Sequence, residues 1–225
     1  MSKFSKTIKN SLVLELRDEI VRGTFEPGEW LRLEALAERF EVSTMPIREA
    51  LSVLEAEGII RIHPHKGAQV TKFEAAELLE IYELRAMLER HATIKSVPLM
   101  TEESFVALEK INAQVSQLRS SFDFASFAKL NMEFHTTLYA NSGQTHLCTT
   151  IRSLRSRVQH YLHKYVESTQ NVLTREPDHL QIVELARQGK SLEAAEVVYQ
   201  HVYSAGVFIS KLMLEGEITP KSSDQ

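Results

Sequence analysis

The chain has 225 residues, of which 43% are hydrophobic and 25% are charged, and it contains a single cysteine. This composition excludes a disordered chain, a collagen-like fibre and a disulfide-stabilised scaffold. The 26 basic and 30 acidic residues give a net charge of −4, so bulk charge does not attract the protein to nucleic acid or to an anionic membrane. Without a signal-peptide pattern or an apolar run long enough to span a membrane, we expect a cytoplasmic protein with no membrane partner.

The N-terminal third predicts three helices and a hairpin. A helix over residues 7–22 is indicated by apolar residues that recur on one face, namely Ile8, Leu12, Leu16 and Ile20. A turn leads to a short helix over about residues 33–40, and a third helix begins at Ser43, whose hydroxyl is expected to cap the free backbone amides. Two alternating runs, residues 60–63 and 68–71, flank a turn and predict a β-hairpin.

Helices in this order, followed by a hairpin, predict a winged helix-turn-helix, in which the start of the third helix enters the major groove of DNA. Thr44 and Arg48 lie four residues apart on the polar face of that helix, so the guanidinium can reach a phosphate or the edge of a guanine. The predicted DNA-binding residues are Ser43, Thr44, Met45, Arg48, His65, Lys66 and Gly67. The alternative is a small helical packing module that does not bind DNA.

Several runs in this region carry a family pattern: LAERFEVS at residues 36–43, PIREAL at residues 46–51, LEAEG at residues 54–58, and Gly67. Together they resemble the DNA-binding domain of GntR-type transcription regulators over residues 7–72, which implies double-stranded operator DNA as a partner. Two positions depart from the family pattern, since Glu41 replaces a usual glycine and Thr44 replaces a common basic residue. A left-handed backbone at Glu41 would cost about 1 kcal/mol.

From residue 74 onward the pattern is helical throughout. We predict six helices, over residues 74–96, 102–120, 123–141, 144–168, 177–188 and 191–215. Helices of this length form an antiparallel bundle. The predicted fold is therefore mainly α, with a winged helix-turn-helix domain and its β-hairpin wing over residues 1–73. An all-helical effector-binding and dimerisation domain follows over residues 74–216, and residues 217–225 form a flexible tail.

Four polar residues interrupt the apolar faces of this bundle. Asn131 and His135 share an inward face with Phe127 and Leu138. His179 and His201 lie eleven residues on either side of Lys190 in a helical hairpin, so both stand at the same level; the apolar face of His201 includes Val198, Ala205 and Phe208. Three converging imidazoles and one amide oxygen suit a divalent metal, zinc first, with nickel or manganese as alternatives. The other interpretation is three hydrogen-bonded core histidines.

The run NMEFHTTL at residues 131–138, the following Asn141-Ser142-Gly143, and the later pairs Asp178-His179 and Gln200-His201 also carry a family pattern. They resemble the FCD ligand-binding domain of the FadR branch of GntR regulators, and the six-helix length resembles the VanR subgroup. This resemblance implies that the metal ligands are Asn131, His135, His179 and His201. The family has aspartate where Asn131 stands, and a neutral amide oxygen is a weaker ligand, so a lower metal affinity is expected.

Two arginines lie on inward faces of the bundle helices, Arg85 and Arg155. A guanidinium beside a metal is suited to clamp a carboxylate effector, and these two are the candidate effector-binding residues. The alternative is that each pairs with a core acid. For Arg85, which has Glu89 four residues later, the two interpretations weigh equally, and for Arg155 pairing is favoured. We expect His160 and His163, beside the apolar face, at the surface or in a dimer contact.

These features predict a homodimeric, ligand-responsive transcription regulator that is not an enzyme. It would act as a repressor, and a small carboxylate bound at the metal centre would release it from its operator. The alternatives are a metal-sensing regulator, a metal-dependent enzyme on a helical bundle, and a structural metal site beneath a ligand-independent DNA binder. The enzyme alternative leaves the winged helix unexplained, and the sequence places no inward carboxylate as its general base.

Overall fold

The structure, a computed structural model, describes residues 3–118, 123–169 and 176–218. The described part of the N-terminal third runs α1 (Lys3–Val21), β1 (Trp30–Leu31), α2 (Leu33–Arg39), α3 (Thr44–Ala56), β2 (Ile60–His63) and β3 (Gly67–Val70). The described remainder runs α4 (Ala75–Ser96), a 3-10 turn (Val97–Leu99), α5 (Glu102–Gln117), α6 (Phe124–Ala140), α7 (Thr145–Thr169), α8 (Glu176–Arg187) and α9 (Ser191–Leu214). The mainly helical fold is thus confirmed.

The N-terminal helices pack around a core that includes Leu16, Ile47 and Leu54, and a small sheet closes one side of it. The sheet is antiparallel in the order β1-β3-β2, so the wing has a third strand in addition to the predicted hairpin. Strand β1 was missed because two residues are too few to show an alternating pattern.

Two local predictions in this domain are wrong. Ile8 was expected on the buried face of α1, but 44% of its surface is exposed. Ser43 was expected to cap α3 with its hydroxyl, yet this residue is an extended N-cap without a side-chain hydrogen bond to the helix. Glu41, in the turn between α2 and α3, has a φ of +53°. This is the left-handed backbone conformation that the sequence analysis considered at this position.

The C-terminal helices form the predicted bundle, and among the described elements α4 packs most extensively against α9. Gly206 on α9 allows this approach, because a Cβ there would meet the Tyr82 side chain at 2.7 Å from its Cγ. Phe208 was placed on the inward face of α9, but 53% of its surface is exposed. Within the predicted tail, Ile218 is buried against the bundle core, and residues 219–225 lie outside the described residues.

Helix α7 joins the two domains at the carboxyl end of α1. His160 Nδ1 lies 2.7 Å from the Ile20 carbonyl oxygen, and His163 Nδ1 lies 2.8 Å from the Val21 carbonyl oxygen. The two imidazoles thus donate to carbonyl groups in the last turn of α1, where the Ile20 oxygen also accepts from the Gly23 N–H. The expected surface position is therefore wrong for His160, which is buried, whereas His163 is half-buried. Neither ring belongs to the histidine cluster of the bundle.

The segment between the domains is fixed to the same helix. The backbone N–H of Phe73 donates to the Tyr161 hydroxyl at 2.9 Å, and Lys164 forms an ion pair with Glu26 at 3.1 Å. None of the helices in the described ranges is long and apolar enough to cross a membrane.

Candidate metal centre and nucleic-acid interface

The amino-terminal end of α3 forms an exposed surface of the first domain. Ser43, Thr44 and Arg48 are exposed there, and 62% of the Met45 surface is accessible. Ile47 and Leu51, on the opposite face, are buried in the domain core, and they hold the helix in place. The arrangement leaves a hydroxyl, a thioether and a guanidinium on one accessible helix end, which is the part of such a helix that reads base edges.

The turn between β2 and β3 places the remaining predicted DNA-binding residues. His65 and Lys66 are exposed at this tip, and His65 has a left-handed φ of +63°. Gly67 has a φ of +106°, a conformation that L side chains rarely adopt, so a glycine is required where the strand begins. The tip therefore combines a cation with exposed backbone that could approach a phosphate.

Three histidines meet inside the bundle, as the sequence predicted. One nitrogen from each of His135, His179 and His201 lies within 4.8 Å of the others. The Nε2 atoms of His179 and His201 are 3.3 Å apart. Two nitrogens bound to one tetrahedral zinc ion, each at about 2.0–2.1 Å, would be separated by about 3.3 Å.

Hydrogen bonds to the far nitrogens fix two of these rings. His201 Nδ1 lies 2.9 Å from Oδ2 of Asp178, and His135 Nδ1 lies 2.9 Å from the Tyr139 hydroxyl. The Tyr139 hydroxyl in turn donates to Glu89. When Nδ1 carries the proton, Nε2 presents its lone pair to the cluster, and carboxylate-supported imidazoles of this kind are typical of metal ligands.

The third ring is held by stacking. The Phe134 ring lies against His179 with a centroid distance of 4.0 Å and an angle of 9° between the planes. His135 meets His179 edge to face at 5.4 Å. Each imidazole is therefore positioned by a neighbour that does not itself belong to the cluster.

Asn131, the fourth predicted ligand, lies on α6 one helical turn before His135 and lines the same cavity as the histidines. Its side chain is only 8% exposed, and its Oδ1 atom is buried without a hydrogen-bond partner among the described residues. A buried carbonyl oxygen without a donor is costly, and a cation would satisfy it. The residues present therefore fit a divalent metal with three nitrogen ligands and one oxygen ligand.

The protonation states suit the same donor set. Burial lowers the pKa of His135 to about 4, although the hydrogen bond and charge of Glu89 oppose this shift. The ring is therefore neutral at physiological pH, as a metal ligand must be. Burial by itself would raise the pKa of Glu89, but the charge of Arg85, the hydrogen bond and charge of His135 and the charge of Arg155 together hold this pKa well below its usual range and keep the carboxylate ionised.

The cluster faces a cavity that both candidate arginines line. The empty space in it is about 650 Å³, including its opening to solvent. Arg85 is buried and forms an ion pair with Glu89 at 3.0 Å, so the pairing alternative is realised for this residue while it still lines the cavity. Arg155 is buried as well, and the charge of Glu89 acts on it, but its Nε atom has no hydrogen-bond partner among the described residues.

Sequence reasoning missed the residues that support the histidines. Tyr139 lies four residues after His135 on the same helix, and this spacing alone could have indicated the contact. The sequence indicated Asp178 only within a family pattern, and it indicated Glu89 only as a partner of Arg85. Their contacts with His201 and with Tyr139 join separate helices, so no local sequence pattern could reveal them.

Two family models match the chain. The model described as "Bacterial regulatory proteins, gntR family" matches residues 8–70, and the FCD domain model matches residues 80–204. The second match alone covers more than half of the chain. Both include the residues described above, because α3 and the wing lie in the first match and the histidine cluster lies in the second.

Individual relatives agree with these matches. The chain is 30% identical to the Nta operon transcriptional regulator of Aminobacter aminovorans, covering 79% of this chain and 83% of that protein. It is 26% identical to the transcriptional repressor GlaR of Escherichia coli, covering 88% and 94%. With the regulator YdhC of Bacillus subtilis the identity is 33%, covering 59% of this chain and 60% of that protein.

A solved structure matches over nearly the whole chain. The structure of E. coli McbR/YncC superimposes with a TM-score of 0.80, covering 95% of this chain and 100% of that chain. The sequence identity is 20%, so the likeness concerns the fold.

Proposed function

Since the chain belongs to the GntR family of bacterial regulatory proteins and carries an FCD domain, we propose that it represses transcription until a small carboxylate binds at a metal centre in its helical domain. The coarse function follows from the family directly, because its relatives are DNA-binding transcription regulators and not enzymes. The proposal adds the metal, the effector and the direction of the response, and it also places the chain in the VanR subgroup.

The observation that carries the proposal is the convergence of three imidazole nitrogens within 4.8 Å at the wall of the cavity. His135, His179 and His201 would hold the metal, with Asn131 as the oxygen ligand. Zinc is the first candidate, with nickel and manganese as alternatives. The ion would supply a Lewis-acidic centre for a carboxylate oxygen, and the chain itself supplies the enclosure and the positive charge of Arg155 and Arg85.

The DNA-binding part of the proposal rests on the exposure of the predicted contact residues and on membership of the family. We assign base or phosphate contacts to Ser43, Thr44, Met45 and Arg48 at the start of α3, and to His65, Lys66 and Gly67 at the wing. A homodimer places two such surfaces on a near-palindromic operator. We propose cytoplasmic location, as DNA-binding regulators require, and domain limits of 1–73 for the DNA-binding part, 74–216 for the effector part and 217–225 for the tail.

Metal analysis of the full-length untagged chain, purified without chelator, tests the centre. We expect about one divalent ion per chain, most of it lost in His135→Ala. The control is His91→Ala, which removes an exposed histidine outside the cluster and should leave the metal content unchanged. The absence of metal from the wild-type chain, even after addition of zinc or nickel, would mean that the histidines are core residues.

A second experiment separates carboxylate response from metal sensing. Operator DNA is selected from random sequence by the wild-type protein, and its affinity is measured with zinc alone and with zinc plus a carboxylate. Release that requires the carboxylate supports the proposal. A change of affinity with zinc alone, and no further change with any carboxylate, would instead make the protein a metal sensor.

A further inference from the structure

The cavity beside the histidine cluster is apolar away from its metal-binding end. Beyond the histidines, Asn131 and the two arginines, its wall is formed mainly by six apolar side chains: Val115, Phe127, Leu162, Val166, Val202 and Ala205. Among the described residues that line this part, the side-chain hydroxyls come from Tyr82 and Tyr165. The wall therefore offers few hydrogen bonds to a ligand at this end.

The polar and apolar ends are separated along the bundle axis. Phe127 precedes His135 by eight residues on α6, a distance of about 12 Å along the helix. Leu162 and Val166 follow Arg155 on α7 by about 10 and 16 Å. The two helices run antiparallel, with the Phe124 ring 4.1 Å from His163, so these apolar residues meet at the same end of the cavity.

The charges are concentrated at the opposite end. Arg85 is paired with Glu89, and the Arg155 Nε atom has no hydrogen-bond partner among the described residues, although the charge of Glu89 also acts on Arg155. A ligand carboxylate therefore finds both of its proposed partners, the metal and the Arg155 guanidinium, at this end. A second carboxylate, or a row of hydroxyl groups, would lie against the apolar wall and lose its hydrogen bonds with water.

From this division we infer that the effector is a monocarboxylate with an apolar chain or an aromatic ring, and not a sugar acid or a polycarboxylate. The inference rests on the proposed function, because it takes the carboxylate site as given and names the class of ligand. The carboxylate lies at the polar end, and the apolar body extends along α6 and α7 toward Phe127 and Leu162.

Calorimetric titration of the full-length, zinc-supplemented protein tests this class. The probes are octanoate, phenylacetate and butanoate, compared with succinate and gluconate. Each methylene that becomes buried contributes about fourfold to affinity. We expect octanoate to bind at least tenfold more tightly than butanoate, and both octanoate and phenylacetate to bind at least tenfold more tightly than succinate and gluconate.

Two variants place the apolar body in the cavity. Val166→Thr adds a hydroxyl to the wall at the apolar end at nearly constant volume, and should weaken octanoate binding at least threefold while changing butanoate binding less. The matched control is Val183→Thr, an equally conservative change at a buried position of α8 outside the cavity, which should change neither affinity. Ala205→Leu fills the apolar end and should reduce the advantage of octanoate over butanoate.

The outcomes separate the inference from the proposed function. Tighter binding of succinate or gluconate than of octanoate and phenylacetate overturns the inference and leaves a carboxylate-responsive regulator. An equal loss of octanoate affinity in the Val166 and Val183 variants also overturns it. Binding of none of the five probes by a protein that retains metal and binds DNA overturns the inference together with the effector part of the proposed function.

Discussion

The backbone of Glu41 has a φ of +53° in the turn between α2 and α3, where an L side chain is strained and glycine is not. We expect Glu41→Gly to raise the free energy of unfolding by about 1 kcal/mol. Urea denaturation of the full chain, followed by circular dichroism, measures this change.

The matched control lies three residues earlier, in the exposed part of α2. Glu38→Gly removes the same charge from a helical position, and it should lower the free energy of unfolding by about 1 kcal/mol. If the free energy of unfolding rises in Glu41→Gly and falls in Glu38→Gly, the gain is due to the backbone conformation at residue 41. A loss of stability in both variants would mean that the Glu41 side chain matters more than its φ.

His160 makes the contact between α7 and α1 sensitive to acid. Burial lowers the pKa of His160, although the Ile20 carbonyl and Glu26 oppose this shift; Lys164 and His163 lower it further. The unfolded chain, with a histidine pKa of about 6.5, therefore binds the proton more readily than the folded protein does. The stability that His160 contributes is complete above about pH 6.5 and is lost as the pH falls below it.

The pH dependence of the free energy of unfolding, measured between pH 7.5 and pH 5 for the wild type and for His160→Asn, tests this assignment. Asparagine retains an N–H donor for the Ile20 carbonyl but does not titrate. We expect the stability of His160→Asn to fall less steeply with acid than that of the wild type. Because the other histidines titrate in both proteins, parallel slopes would show that His160 is not responsible.

Helix α3 carries the exposed guanidinium of Arg48, which we propose to contact DNA. We expect Arg48→Ala to weaken operator binding by about 1–3 kcal/mol if it contacts a guanine, or to reduce the salt slope by about one if it contacts a phosphate. Fluorescence anisotropy on the selected operator at several salt concentrations measures both quantities.

The control for this variant changes the charge equally in the other domain. Arg90→Ala removes an arginine of α4 that pairs with Glu196 at the surface, and operator affinity should not change. If Arg48→Ala and Arg90→Ala reduced affinity to the same extent, the effect would belong to the overall charge of the protein and not to α3.

The helix pair α4 and α9 depends on one position without a side chain. We expect Gly206→Ala to lower the free energy of unfolding by about 1–3 kcal/mol, because the added methyl group collides with Tyr82. This loss outweighs the gain of about 1 kcal/mol that alanine normally brings to a helix. Thermal denaturation beside Gln200→Ala, an exposed change on the same helix, measures the difference. Greater stability of Gly206→Ala would mean that the two helices can move apart at little cost.

The elements that sequence could predict are those with long, regular patterns. Each bundle helix buries one apolar face over several turns, so its period identifies it. His179 and His201 could be placed level with each other because a short helical hairpin is antiparallel and its rise per residue is fixed, and their Nε2 atoms are indeed 3.3 Å apart.

The features that sequence could not predict depend on contacts between distant residues or on very short segments. His160 contacts Ile20, which lies 140 residues earlier in the chain, and no periodic pattern in the sequence indicates this contact. Glu89 and Asp178 reach the histidines from other helices, so the carboxylate support of the cluster emerges only from the packing. The two-residue strand β1 carries no pattern of its own, because it is defined by pairing with β3.

Helix α7 connects the cavity of the bundle with the DNA-binding domain. Arg155 and Leu162 on this helix line the cavity, while His160 and His163 hold the end of α1. The His163 ring also packs 4.1 Å from Phe124, whose ring lies 6.5 Å from Phe127 in the cavity wall. A ligand that shifts the cavity wall can therefore act on the DNA-binding domain through this helix.

Replacement of His163 tests this connection. The variant His163→Ala loses the hydrogen bond to the Val21 carbonyl and the contact with Phe124, but His163 itself neither lines the cavity nor belongs to α3. We expect it to bind the tightest carboxylate of the titration series and the operator separately, while the carboxylate changes operator affinity much less than in the wild type. The ratio of operator dissociation constants with and without carboxylate measures this coupling, and by linkage the same ratio must appear in the carboxylate affinity with and without DNA.

The control for this variant is His91→Ala, which removes an exposed histidine of α4 and should keep the wild-type coupling ratio. Since the coupling is a difference between two states, a variant that merely destabilised the fold would weaken both binding reactions and leave the ratio unchanged. A wild-type ratio in His163→Ala would therefore place the connection elsewhere. Among the described residues, other contacts that could carry it are the Lys164–Glu26 ion pair and the segment from Phe73 into α4, which the Tyr161 hydroxyl anchors.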